Sequence, residues 1–93
     1  MKKKMRAHAI IRGRVQGVFF RVETKRAADR CRVKGWVRNL VDGTVEAVFE
    51  GDKDRVEKTL AWCGQGPPHS TVEDVKVRWQ DYTGEFRDFR ILY

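Results

Sequence analysis

The sequence predicts an α+β domain: one antiparallel β-sheet with two helices packed on one of its faces. Three observations lead there. Several stretches alternate apolar and polar residues with period two, two others repeat at helical spacing, and glycine, proline or aspartate marks the boundaries between them. At 93 residues the chain is expected to form a single domain spanning 1–93, with enough surface to bury for one core.

The elements follow in order. Residues 7–12 (AHAIIR) alternate weakly around Ile10 and Ile11 and read as a strand. Residues 21–33 (RVETKRAADRCRV) read as a helix, with an inward stripe of Phe20, Thr24, Ala28 and Cys31 and a charged outer face. Gly35 stands close to where a helix-terminating glycine is expected. Residues 35–40 and 44–50 are strands, the second alternating through Val45, Ala47 and Phe49, and Asp42-Gly43 between them signals a hairpin. Asp52 is placed to cap a second helix at about 53–63, whose buried side carries Val56, Leu60 and Cys63 beside Trp62. Gly64, Gly66, Pro67 and Pro68 stop that helix. Residues 71–79 alternate again through Val75, Val77 and Trp79, and a turn near Tyr82 to Glu85 leads to a last strand, Arg87 to Tyr93. The order βαββαβ plus a short C-terminal strand is the ferredoxin-like α/β sandwich, with an antiparallel sheet and two helices on one face.

Composition bounds the function. The net charge of +7 favours an anionic partner, whether nucleic acid, membrane surface or phosphorylated metabolite, without choosing among them. The start MKKKM is positive, but Arg6, His8, Arg12 and Arg14 interrupt any apolar run behind it, so a secretion signal is not expected. No apolar stretch approaches the roughly 20 residues of a membrane span. A cytoplasmic protein is expected, with Cys31 and Cys63 as reduced thiols outside any metal-binding spacing. The two helices should run antiparallel and put these cysteines at opposite ends of the helical layer, so no disulfide is expected between them.

The informative stretch is GRVQGVFFR, residues 13–21, between the first strand and the first helix. A strand-to-helix turn can present successive backbone N–H groups to an anion at the positive end of the helix. Gly13 and Gly17 would let the backbone adopt unusual dihedrals and an anion come close. Val15, Val18, Phe19 and Phe20 cannot all face water, so some of them should fasten the loop to the core and hold its amides in one arrangement. Arg21, at the start of the helix, offers a planar guanidinium fork suited to phosphate or carboxylate. On the residues alone a phosphate site and an ordinary glycine-bearing loop fit equally well. The spacing matches neither GxxxxGK[ST] nor GxGxxG, which disfavours nucleotide loops of those two kinds. Asn39, taken alone, reads as a turn residue ahead of Asp42-Gly43.

IRGRVQGVFFR (11–21) followed by GWVRNLVDGTVEAVFEG (35–51) resembles the acylphosphatase family in both segments, their order and their separation, and GPPHSTVEDVKVRW (66–79) is similar to the region after the family's second helix. The resemblance implies metal-independent hydrolysis of acyl phosphates to a carboxylate and inorganic phosphate, with no cofactor. It places Val15, Gln16, Gly17, Val18, Phe19, Phe20 and Arg21 in a phosphate-binding loop, and makes Arg21 and Asn39 the catalytic pair, with Asn39 orienting the attacking water. A carboxylate is already a good leaving group, so such an enzyme needs mainly to position water and stabilise phosphoryl charge. Asparagine does not titrate at neutral pH, and the substrate's own phosphate oxygen is the natural proton acceptor. Arg14 and Arg38 read as exposed charges that raise the local positive potential. Thr44, Glu46 and Tyr93 could have supporting roles. His69 and Ser70 stand where the family often has glycine and other small residues, a departure expected to leave the phosphate site untouched.

Further expectations follow from the resemblance. The partner is a small-molecule acyl phosphate, inorganic phosphate or sulfate should be able to occupy the loop, and the protein should act as a monomer. From its Met1 start and its ending on Tyr93, the chain is expected to be a free-standing enzyme rather than a domain of a larger maturation protein acting on carbamoyl phosphate. The competing reading is a ferredoxin-like RNA- or anion-binding module without catalysis. Against it, the K/R-G-F/Y-G/A-F-V-x-F/Y string is absent, and TVEAVFEG carries Glu46 and Glu50 where a phosphate backbone would be repelled.

Overall fold

A computed structural model describes residues 3–93. The elements are β1 (Lys4–Arg14), α1 (Phe20–Arg30), β2 (Lys34–Asn39), β3 (Val45–Asp52), α2 (Lys53–Gln65), β4 (Thr71–Gln80) and β5 (Phe89–Ile91). They build one sheet in the order β4-β1-β3-β2-β5, antiparallel throughout its first four strands. Alternation decides the facing. Ala7, Ala9 and Ile11 of β1 and Val45, Ala47 and Phe49 of β3 are fully buried under the helices. Between them the outward His8 of β1 stands opposite Val48 of β3, and the outward Ile10 opposite Glu46. No helix among the described residues is long and apolar enough to cross a membrane.

The helices bury short stripes against this face. In α1 they are Phe20, Thr24, Ala27 and Ala28, so Ala27 joins the expected stripe; in α2 they are Val56, Thr59 and Cys63, with Leu60 and Trp62 half-buried at the margin. The rings of Phe20 and Trp62 meet at 5.7 Å, joining the start of α1 to the end of α2. Both cysteines are free. Burial pushes the Cys63 thiol up to about 12, so it is a packing residue and not a nucleophile.

Three local expectations are corrected by the chain's geometry. α1 stops at Arg30 rather than 33, because Arg32 turns left-handed at φ 57. The amides of Arg32 and Val33 then donate back to the carbonyls of Asp29 and Ala28, a Schellman ending with arginine at the position that glycine usually holds. Gly35 is instead a strand residue: a Cβ there would lie 1.8 Å from the Val48 carbonyl oxygen across the sheet. Asp52 does stand at the start of α2, but its carboxylate pairs with Arg55 at 3.4 Å and makes no side-chain cap hydrogen bond.

The last strand shows why the sheet gains a parallel edge. β4 and β5 lie on opposite edges, and β5 runs parallel to β2. The connection 81–88 therefore crosses one end of the sheet, and the chain must turn back along the β2 direction. Glu50, only 2% exposed, anchors that crossing. Its carboxylate accepts from Thr83 N (3.0 Å), Thr83 Oγ1 (2.7 Å), Gly84 N (3.0 Å) and Arg6 Nη1 (3.2 Å). Phe89 then enters the core and stacks on Phe49 at 5.5 Å.

Burial raises the Glu50 carboxyl, but the donors from Thr83, Arg6 and Gly84 outweigh it and hold the group below the usual glutamate range. A native pKa below the unfolded one contributes stability above the ordinary glutamate value of about 4.3, and that stability drains away as pH falls through the native pKa. Glu50→Gln should therefore lower stability by roughly 1–3 kcal/mol at pH 7. In urea unfolding between pH 7 and 3, the gap between parent and variant should narrow below about pH 4.3; a gap constant with pH would refute this role. Arg32→Gly should raise stability by about 0.5–1 kcal/mol, read as a higher Tm, because glycine relieves the left-handed arginine at some cost in unfolded-state entropy.

Candidate active site

β1 and β2 run in the same direction with β3 between them, so their C-terminal ends emerge at the same end of the sheet. Neighbouring strands are about 4.8 Å apart, which sets those two ends roughly 10 Å from each other. The loop after β1 and the last residue of β2, Asn39, are thereby brought together from distant parts of the sequence.

The loop is fastened from beneath. Val15 and Phe20 are almost fully buried and Val18 is buried too, whereas Phe19 is 78% exposed. Gly17 takes φ 74 with open space where a side chain would be, so its role is conformational. Gly13 serves otherwise than the sequence suggested. A Cβ on it would meet the Thr71 carbonyl oxygen at 2.0 Å, at the point where the β1–β4 register shifts. Gly13 thus lets β4 close against β1.

Phe19 caps α1 in a left-handed conformation (φ 61) and gives no side-chain hydrogen bond to the helix start. Its carbonyl accepts the first helical bond, from Glu23 N at 3.0 Å. The amides of residues 20–22 precede that bond and lack intrahelical acceptors, as at any helix start, and the helix dipole adds positive potential there. Arg21 stands in this first turn. Its Nη1 donates to the Leu92 carbonyl at 3.4 Å and its guanidinium lies 5.0 Å from the centre of the Tyr93 ring. Neither contact neutralises the charge.

Gln16 does something the sequence reading missed. Its Nε2 donates to both Leu40 O (2.8 Å) and Thr44 O (2.9 Å), the carbonyls flanking the hairpin that follows Asn39. One amide side chain thus ties the loop to the other half of the site. A polar residue set between apolar Val15 and Val18 was the available signal. The hairpin is also braced from within: the Asp42 carboxylate accepts from Thr44 N and Oγ1, which holds its pKa below the ordinary value.

Asn39 Oδ1 is buried and has no hydrogen-bond partner among the described residues. Most buried polar atoms are partnered, so a free acceptor at this position invites a ligand or water donor. Asn39, Arg21, Gly17 and Val15 all line a cavity of about 220 Å³. A second hollow of about 280 Å³ lies at the opposite end around Glu50, whose carboxylate is already committed to the crossing segment.

Arg38 and Glu46 lie on the open face of the sheet. Arg38 Nε donates to Glu46 Oε1 at 2.6 Å, and His8 Nε2 is 2.8 Å from Glu46 Oε2. Burial raises the Glu46 carboxyl, but these two partners outweigh it and lower it. Arg38 is therefore a paired charge, not the free source of potential expected from the sequence.

The family model described as acylphosphatase matches residues 7–91. The chain is 56% identical over 90 residues to an acylphosphatase of Pelotomaculum thermopropionicum, covering 97% of this chain and 98% of that protein. Its fold superposes on the crystal structure of acylphosphatase from Bacillus subtilis with a TM-score of 0.93 at 34% identity, covering 96% and 99% of the two chains. It also superposes on full-length HypF in a phosphate- and nucleotide-bound form, with a TM-score of 0.86 at 25% identity, covering all of this chain and 12% of that one. The sheet order, the loop between β1 and α1 and these likenesses agree: the chain belongs to the acylphosphatase family of hydrolases.

Proposed function

We propose that the chain hydrolyses acyl phosphates, with the loop amides of residues 15–20 and the Arg21 guanidinium holding the phosphoryl group and Asn39 orienting the attacking water. One observation carries the reading: the start of α1, which has no side-chain cap, Arg21 with no carboxylate partner among the described residues, and Asn39 with its Oδ1 unpartnered among them converge on one cavity. The likeness to one segment of HypF, a protein solved in a phosphate- and nucleotide-bound form, supports phosphate as a probe of the cavity.

The chemistry follows from the geometry. The phosphoryl oxygens accept from the amides and from the planar guanidinium, donors fixed before substrate arrives. The Asn39 side-chain amide orients the water so that a water lone pair points at phosphorus. As the new P–O bond forms, the bond to the acyl oxygen breaks and the carboxylate departs with the electron pair. The proton from water goes to a phosphoryl oxygen. No side chain needs to titrate, so the barrier falls through positioning and electrostatics. Gln16 is a positioning residue in this scheme, because it fixes the hairpin behind Asn39 against the cradle. Inorganic phosphate and sulfate should occupy the same cradle. We also place the protein in the cytoplasm as a single-domain monomer; one buried cluster joining both helices to the sheet supports the single domain.

Hydrolysis of a simple acyl phosphate tests this. Arg21→Ala and Asn39→Ala should each lose about 10²-fold or more in kcat/KM while remaining folded by circular dichroism. Folded variants within threefold of the parent would remove those residues from the mechanism. Gln16→Met keeps the volume but strands two carbonyls. It should cost roughly 1–3 kcal/mol in stability and lower kcat more than it raises KM, with faster amide exchange over residues 40–44.

A further inference from the structure

The cradle accounts for the phosphoryl half of an acyl phosphate. The acyl half must leave the loop on its open side, and the side chains standing there are apolar. Phe19 is the clearest case. It holds a left-handed backbone conformation, uncommon for a bulky residue, and still exposes 78% of its surface. The left-handed backbone turns the chain into α1, but the exposed ring does not help the fold: Val15, Val18 and Phe20 already fasten the loop. A strained residue kept beside a binding site is a pointer to function.

The surroundings agree. Tyr93 is 99% exposed and lies against the Arg21 guanidinium. Val22, three residues beyond Phe19, is also exposed. Phe19, Val22, Ile91 and Tyr93 share with Arg21 and Asn39 the cavity of about 220 Å³. Most exposed large apolar side chains among the described residues gather at this end of the sheet, including Leu92 and, on the hairpin, Val41.

We propose that Phe19 and Tyr93 form an acyl-group subsite beside the phosphate cradle, selecting aromatic or bulky apolar acyl phosphates over small ones. The inference rests on the cradle reading above and adds the substrate class. A ring leaving the cradle would stack on Phe19 or Tyr93 and lose its contact with water. An acetyl or carbamoyl group offers much less apolar surface to bury against either ring.

The test compares kcat/KM for benzoyl phosphate and acetyl phosphate in the intact chain, Phe19→Ala, Phe19→Leu and Tyr93→Ala. The benzoyl-to-acetyl ratio is the readout, since the intrinsic reactivity of each substrate and any general damage to the loop cancel when ratios are compared. Removing an apolar wall contact should cut that ratio roughly 5- to 20-fold in each alanine variant, through a raised KM for benzoyl phosphate. Phe19→Leu should keep most of the parent ratio. If both substrates are hydrolysed and the ratio stays within twofold of the parent in both alanine variants, the acyl subsite is wrong while the cradle stands. If the parent hydrolyses neither substrate above buffer, the cradle reading fails and the subsite fails with it.

Discussion

The side-chain amide of Gln16 holds the site in register. It reaches from the β1–α1 loop to the Leu40 and Thr44 carbonyls, and so fixes the gap between the proposed phosphate cradle and the strand end that carries Asn39. The strand order alone brings those two ends within roughly 10 Å of each other. That is close enough for a phosphoryl group and a water molecule between them, but a loop and a hairpin free to move independently would lose the alignment. Two hydrogen bonds from one planar group remove that freedom, and two neighbouring constraints support them. Buried Val15, Val18 and Phe20 hold the loop from below, and Asp42 braces the hairpin through Thr44.

The far end of the molecule contributes to the same site through the chain's last residues. Glu50 gathers Thr83, Gly84 and Arg6 and so pins the crossing segment to the sheet. Phe89 inserts against Phe49, and β5 runs back beside β2. The amide of Leu92 then donates to Val37 O at 2.9 Å, while its carbonyl accepts from Arg21. Arg21 is thus positioned by a strand whose own path is set at the opposite end of the sheet. Glu50, which in the sequence looked like a charge set to repel nucleic acid, is a buried anchor. A buried carboxylate of this kind is tolerable only because its lone pairs are filled.

Charge is organised in two ways. On the open sheet face the carboxylate of Glu46 is flanked by His8 and Arg38, so the Arg38 charge is committed to structure. At the loop, by contrast, Arg21 meets a carbonyl and an aromatic face, which orient a guanidinium without cancelling it. The proposed chemistry needs that difference, since a cation already paired with a carboxylate offers an incoming phosphate much less.

The sequence by itself determined the order and type of every element, because alternation and helical stripes record which side of each segment is buried. It also singled out Arg21 and Asn39 through the resemblance of GRVQGVFFR and GWVRNL to a known family. Tertiary structure decided what depends on neighbours distant in the chain. Gly13 and Gly35 are glycines because Thr71 and Val48 carbonyls press on them from adjacent strands, and no local pattern reveals a neighbour's backbone. Arg32 ends α1 in a conformation that carries no residue signature. Gln16 and Glu50 gain their roles only from the partners that the fold delivers, as does the parallel pairing of β5. Periodicity reports a residue's own burial, whereas a hydrogen bond or a close approach across the sheet is a property of two segments at once, and it exists only after the chain has folded.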